Sequence, residues 1–366
     1  MEIDAPGKLM LSGEWSVLEP NNACIALAIN KKVKVKIKEN NTNKINITLK
    51  NFGIKTKAIL KDQKLIFDSE NPILNFTKKS LETTIKYLQE TGTKIKFFDI
   101  ETKTITKTKG MKKAGFGSSA ATCVAIITAI MKYHKSEAKI EEEKEKIFKL
   151  ATISHYLAQE KIGSGFDIAT STYGGTLIYK RFDAEWLLNE LQQKKISQVI
   201  KQKWPLLQYE KIELPKDMLI IAGFTGKSAS TKELVKKMLN YKRNNKTDYE
   251  RAIKNLAEIT EKLSVALKKS NKTAIIELIK QNRLALKNLG ELSGTNLETE
   301  ELRKIAEIAE KNGGAGKFSG AGGGDCGIAI CFDKKTMEKI KEEFRKEGIQ
   351  PISFEIDKEG VKVCND

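Results

Sequence analysis

The chain has 366 residues, with 65 Lys and Arg against 47 Asp and Glu, a formal net charge of +18 and 40% hydrophobic residues. That composition belongs to globular proteins, and the length exceeds what one core usually fills, so two domains sharing a cleft are expected. Apolar runs such as 120–131 are too short to span a bilayer, the five scattered cysteines show no metal-ligand spacing, and the N-terminus lacks a basic start followed by an apolar stretch, so membrane spans, zinc sites, a disulfide framework and a secretory leader are not expected, and a cytoplasmic protein is.

The first third reads as strands. Over 24–66, Val33, Val35 and Ile37 alternate with lysines, and Ile45, Ile47 and Leu49 repeat the pattern, the period of a half-buried strand. A helix is predicted over 73–88, after Asn71-Pro72, and an alternating strand over 94–106. A Gly-rich loop at 110–118 then feeds an apolar helix over 119–133, and a charged helix follows over 140–160. Residues 163–167 read as a loop, and 173–179 as a strand crossing Gly174-Gly175. The second half changes rhythm. An apolar strand over 218–224 precedes helices over 249–268, 274–289 and 300–311. Ile253, Leu256, Ile259, Leu263 and Leu267 share one face of the first, and Gly313-Gly314 stops the last. A Gly-rich run at 316–327, a strand over 328–332, a helix over 335–346 and a strand over 352–356 complete the chain. Two α/β layers follow from this order, with a boundary between 181 and 216. The lysines spread over most of these elements, so most of the charge reads as compositional bias. Aromatic residues are 7% of the chain and do not cluster with lysines, which argues against a nucleic-acid surface.

Gly115-Phe116-Gly117-Ser118-Ser119-Ala120-Ala121 holds the most chemistry. Glycines let backbone N–H groups turn around a polyanion, and the helix that follows adds unpaired N–H groups and the positive end of its dipole. A serine N-cap after a glycine turn explains the same residues equally well. Two other phosphate motifs fail. Gly226-Lys227-Ser228 has the ending of a Walker A loop, but Ile221 stands where its first glycine belongs. Gly115-x-Gly117-x-x-Ala120 fits a relaxed dinucleotide fingerprint, but 107–113 is basic and broken by glycine where an apolar strand is needed. A second Gly-rich run, Ser319-Gly320-Ala321-Gly322-Gly323-Gly324-Asp325-Cys326, lies half a chain away. Small residues there permit close backbone approach, and the two loops argue for a cleft lined from both domains.

Three segments in this order resemble the GHMP kinase superfamily. They are Ala5-Pro6-Gly7-Lys8 with Gly13-Glu14-Trp15, the 115–121 loop, and 319–326. The resemblance implies an α+β, two-domain fold, with a ribosomal-S5-like N-terminal domain over 1–183 and a ferredoxin-like C-terminal domain over 184–366. Within the superfamily the segments are most similar to the phosphomevalonate kinase branch. Gly13-Glu14-Trp15-Ser16-Val17-Leu18 departs from the Gly-Glu-His usual in mevalonate kinases. The segments 163–169 with Tyr173-Gly174-Gly175, 225–231 and Gly324-Asp325-Cys326-Gly327 point the same way. The implied reaction is ATP-dependent phosphorylation of 5-phosphomevalonate to 5-diphosphomevalonate. Another kinase of the superfamily, such as a mevalonate kinase, is the alternative, and a basic nucleic-acid-binding protein is a distant one.

The resemblance also implies roles. Gly115, Gly117, Ser118, Ser119 and Ala120 would hold the ATP phosphates, with Ser119 and Glu160 at Mg²⁺. Lys8 and Asp167 match the family's pair at the acceptor. A phosphomonoester is already largely ionised at neutral pH, its second pKa being about 6, so no strong base is required. Lys8 is therefore expected to neutralise the reacting phosphates, and Asp167 to orient Lys8 or the acceptor. Such an acceptor needs a second anion pocket, for which Lys113, Lys227, Ser228 and Ser230 are candidates, with Gly322 and Gly323 closing on the substrate. The partners expected are ATP and a small phosphorylated acid, with neither nucleic acid nor membrane. His134 and His155, the only histidines, fall outside every matched motif and read as helix-surface or packing residues.

Overall fold

The computed structural model describes residues 1–104, 115–134, 139–227 and 231–364, with only the backbone at Thr231 and Lys232. Lys113, Ser228 and Ser230 therefore lie outside the described side chains.

The alternating segments form strands as their periodicity requires. A nine-stranded sheet takes β1 (Glu2–Ser12), β2 (Ala23–Glu39), β3 (Lys44–Leu49), β4 (Ile54–Lys61), β5 (Lys64–Phe67), β6 (Phe98–Thr104), β7 (Thr176–Lys180) and β8 (Gln208–Ile212), and it ends on a strand from the last residues, Lys362–Cys364. Helices α1 (Asn75–Glu90), α2 (Ser118–His134), α3 (Ile140–Ala158) and α4 (Phe166–Tyr173) cover one face. Two short helices follow, α5 (Ala184–Gln193) and α6 (Ile196–Val199). The second layer has four strands, β9 (Leu219–Phe224), β10 (Ala315–Phe318), β11 (Cys326–Cys331) and β12 (Gln350–Ile352), in the order β10-β11-β9-β12 with antiparallel neighbours throughout. Helices α7 (Thr231–Asn244), α8 (Lys246–Lys268), α9 (Lys272–Leu292) and α10 (Glu300–Lys311) intervene between β9 and β10, and α11 (Lys334–Lys346) between β11 and β12. Strand order and βαββαβ connection are those of a ferredoxin-like unit. The first sheet draws β8 and its last strand from beyond residue 184, and we keep the division at 183/184 as a proposal about folding units.

β1 and β2 are shared between two cores, because successive side chains of a strand point to opposite faces. Ile3, Ala5 and Met10 of β1 lie in the core that β1 forms with α2 and α4. Leu9, Leu11, Ile25, Leu27 and Ile29 pack on the other side with the helices and strands of the second layer. Lys8 is thereby placed at the seam between layers. No helix among the described residues is long and apolar enough to cross a membrane.

Four local features differ from the sequence expectation. Residues 166–173 are helical, ending where Gly174 and Gly175 take φ of 71° and 74°, so the strand expected from 173 begins at Thr176. β10 lies inside the run expected to be loop. A Cβ at Gly316 would lie 2.8 Å from Ala306 Cα, so glycine there lets α10 pack onto the strand backbone. The last strand of the second layer is Gln350–Ile352, and Ile356 makes only a bridge to Ile29. α7 escapes pattern reading because its buried stripe is reduced to Val235 and Met238 among lysines.

Candidate active site

A cavity of about 330 Å³ opens where β1, the start of α2, the start of α4 and the loop after β10 converge. Lys8, Ser118, Ser119, Asp167, Ser319 and Asp325 line it. Lys8 is the one lysine or arginine among the described residues that does so.

The phosphate-loop residues Gly115 and Gly117 have φ of 71° and 73°, conformations open to glycine. A Cβ at Gly117 would come within 2.8 Å of Lys8 Cγ, and one at Gly115 within 2.6 Å of Asp325 Cβ. The two glycines therefore let β1 and the second Gly-rich loop close on the phosphate loop from opposite sides. Lys8 holds that loop twice: its backbone N–H donates to Phe116 O at 2.8 Å, and its Nζ donates to Gly115 O at 3.0 Å. Helix α2 begins at Ser118, so the N–H groups of Ser118, Ser119 and Ala120 have no partner within the helix; Ser118 and Ser119 line the cavity, and Ala120 is buried behind them. Unpaired N–H groups at a helix start suit an anion.

Ser319 fixes the second loop to the first layer by accepting a hydrogen bond from Met10 N at 2.7 Å. Glu14, just after β1, pairs with Lys317 of β10, and both side chains are fully buried. Burial pushes the Lys317 amine below the usual lysine range, while Glu14 opposes that shift.

Asp167 sits in the first turn of α4, where its Oδ1 accepts from Ile168 N at 3.0 Å. Its Oδ2 lies 3.8 Å from His155 Nε2, and the same nitrogen lies 3.2 Å from Ser119 Oγ. Lys8 Nζ is engaged by the Gly115 carbonyl, and a role for Asp167 in orienting Lys8 or the acceptor stays a proposal. His155, expected as a helix-surface or packing residue, is buried and packs, and it stands between Ser119 and Asp167. His155 stacks on Phe76 with ring centroids 5.0 Å apart. Burial holds its imidazole below the usual histidine range, opposed by the Asp167 carboxylate. The available signal was its place on the apolar stripe Phe148, Ala151 and Ala158 of α3.

Several expected residues lie elsewhere. Glu160 is exposed beyond the end of α3, where Glu160 and Lys161 both take positive φ of 57° and 67° and turn the chain outward. Lys227 extends into solvent and bonds Glu301 Oε1 at 2.6 Å. Gly322 and Gly323 pack on Leu297: a Cβ at Gly322 would meet Leu297 O at 2.5 Å, and Gly323 N donates to that oxygen at 2.7 Å. They shape the second loop from behind.

The profile of the GHMP kinases N terminal domain matches residues 75–175, and that of the GHMP kinases C terminal matches residues 263–350. The phosphomevalonate kinase of Streptomyces sp. (strain CL190) is 26% identical, over 98% of this chain and 97% of its own. The mevalonate kinase of Pyrococcus abyssi is 28% identical, over 98% of this chain and 96% of its own. Among solved structures, the Lin0012 protein of Listeria innocua is 31% identical with a TM-score of 0.92, covering 100% of this chain and 99% of its own. Streptococcus pneumoniae phosphomevalonate kinase in complex with phosphomevalonate and AMPPNP superposes with a TM-score of 0.83 at 21% identity, over 97% of this chain and 99% of its own, and shares the fold.

Proposed function

Because the chain belongs to the GHMP kinase superfamily, we propose that it transfers the γ-phosphoryl group of ATP to 5-phosphomevalonate, releasing 5-diphosphomevalonate and ADP. The observation that carries the transfer is the convergence of Lys8, Asp167 and the 115–119 loop on one cavity. Phosphoryl transfer asks for in-line positioning and neutralisation of charge. The α2 N-terminus would hold the nucleotide phosphates, and Lys8, already at the loop, would meet the phosphoryl group as it moves. The acceptor is supported by full-length similarity to a phosphomevalonate kinase.

Ser119 Oγ and the Asp167 carboxylate are hard oxygen donors of the kind magnesium takes, and a nucleotide-borne ion needs few protein ligands. Bound there, magnesium would be held by Ser119 and the phosphates and would neutralise charge on the transferred group. Glu160, exposed and outside the cavity, is left without that role.

Phosphorylation of mevalonate is the second reading. The 28% identity to a mevalonate kinase and the presence of a single lysine at the cavity among the described residues favour it. ³¹P NMR of the reaction mixture separates the two. A diphosphate with two coupled signals in addition to those of ADP supports the proposal, and a new monoester signal formed from mevalonate supports the second reading.

A further inference from the structure

We infer that His155 is a positioning residue that couples Ser119, on the nucleotide side of the cleft, to Asp167, on the acceptor side. The inference rests on the kinase reading above for what those two sides bind. Ser119 and Asp167 line the cavity and His155 does not; the ring stands behind them, 4% exposed. Its Nε2 is 3.2 Å from Ser119 Oγ and 3.8 Å from Asp167 Oδ2. Phe76, stacked on the ring with 30° between planes, holds it in that slot.

The chemistry follows from one nitrogen facing two oxygens. A neutral imidazole carries one N–H, and its neighbours decide which nitrogen bears it. A bare Nε2 would turn its lone pair towards a carboxylate, which is repulsive. A hydrogen on Nε2 is attracted to that carboxylate and can donate to Ser119 Oγ. Asp167 therefore biases His155 to the Nε2–H form. Ser119 then spends one lone pair on His155 and keeps its second lone pair and its own O–H for the cleft, fixed in direction. A change at the acceptor-side carboxylate reaches the nucleotide-side hydroxyl through the ring, without movement of either helix.

His134, the other histidine, supplies an internal reference. Its Nε2 accepts from Lys96 N at 3.1 Å, and its Nδ1 lies 2.8 Å from Ile130 O, so it carries its hydrogen on Nδ1. The two histidines should be opposite tautomers.

The test uses full-length protein labelled with ¹⁵N-histidine, without substrate. The His155 signals are those lost in His155→Phe, which keeps the ring stacked on Phe76. Expected are Nε2–H for His155, Nδ1–H for His134, and movement of the His155 ring nitrogens, but not those of His134, in both Ser119→Ala and Asp167→Asn. An Nδ1–H His155, or His155 nitrogens unmoved by either variant, overturns the proposal. Turnover gives the second readout. His155→Phe should lower kcat about tenfold with the acceptor KM within about twofold, the pattern of lost positioning. His155→Gln, whose amide N–H can reach the same oxygens, should recover part of the loss. If His155→Phe does not fold, His155→Gln carries the comparison, with a measurable fall in kcat expected. Unchanged kcat in the folded variant overturns the proposal. Should 5-phosphomevalonate not be phosphorylated, the acceptor assignment falls, and the spectra still decide the histidine.

Discussion

Glu14 and Lys317, 303 positions apart in the chain, form an ion pair whose side chains are both closed to solvent. Lys317 Nζ also donates to Phe318 O at 2.6 Å, while Glu14 Oε2 has no hydrogen-bond partner among the described residues. The pair joins the end of β1 to β10 and so ties the two layers together at the cleft. Removing one partner strands a buried charge. Glu14→Gln or Lys317→Met should each cost about 3–5 kcal/mol, and the double replacement should cost less than the sum of the two. Urea unfolding of the three variants measures this, and additive losses would show that the two groups are not coupled.

Lys8→Met should lower kcat roughly 10²–10³-fold, the usual effect of losing a group aimed at transition-state charge. Its backbone bond to Phe116 O is kept, so calorimetric titration with nucleotide should still show binding. Loss of binding and turnover together would mean that Lys8 acts by holding the loop.

Gly117→Ala combines a φ of 73° with a Cβ 2.8 Å from Lys8 Cγ. The loop must shift away from β1, and nucleotide affinity should fall about tenfold, with a smaller effect on thermal unfolding than on binding. An unchanged dissociation constant would remove this loop from the nucleotide site.

Lys227 bears on the acceptor pocket and on pH. Its hydrogen bond to Glu301 is the main reason that carboxyl is pulled down to about 2. A carboxyl depressed on folding contributes stability above its unfolded pKa of about 4.3, which is lost as pH falls towards 2. The lysine side chain is 71% exposed, so solvent screening keeps the contribution small. Lys227→Ala should return Glu301 to the ordinary carboxylate range, as followed by NMR, and leave turnover within about threefold. A collapse of turnover would bring Lys227 back as a substrate ligand.

What the sequence made legible was what depends on short-range pattern. Val33, Val35 and Ile37 alternate as β2 requires, and all three are buried. Lys8, Ser119 and Asp167 sit in motifs whose glycines serve backbone geometry, and the fold brings them to one cavity. The remainder depends on where side chains meet across the fold. The sequence pattern carries a helix through Glu160, but α3 ends at Ala158 and Glu160 and Lys161 both take positive φ. Lys227 lies in a matched segment, yet its direction is set by Glu301, which no local pattern links to it. His155 belongs to no motif, and its meaning comes from Ser119, 36 positions away, and from Asp167.

The most direct test of the proposed activity is kcat/KM with Mg-ATP for 5-phosphomevalonate and for mevalonate, measured by ADP release on one preparation. The account predicts that 5-phosphomevalonate is preferred by at least about a hundredfold, as expected where a substrate group meets a site built to bind it. Equal values, or a preference for mevalonate, would contradict it.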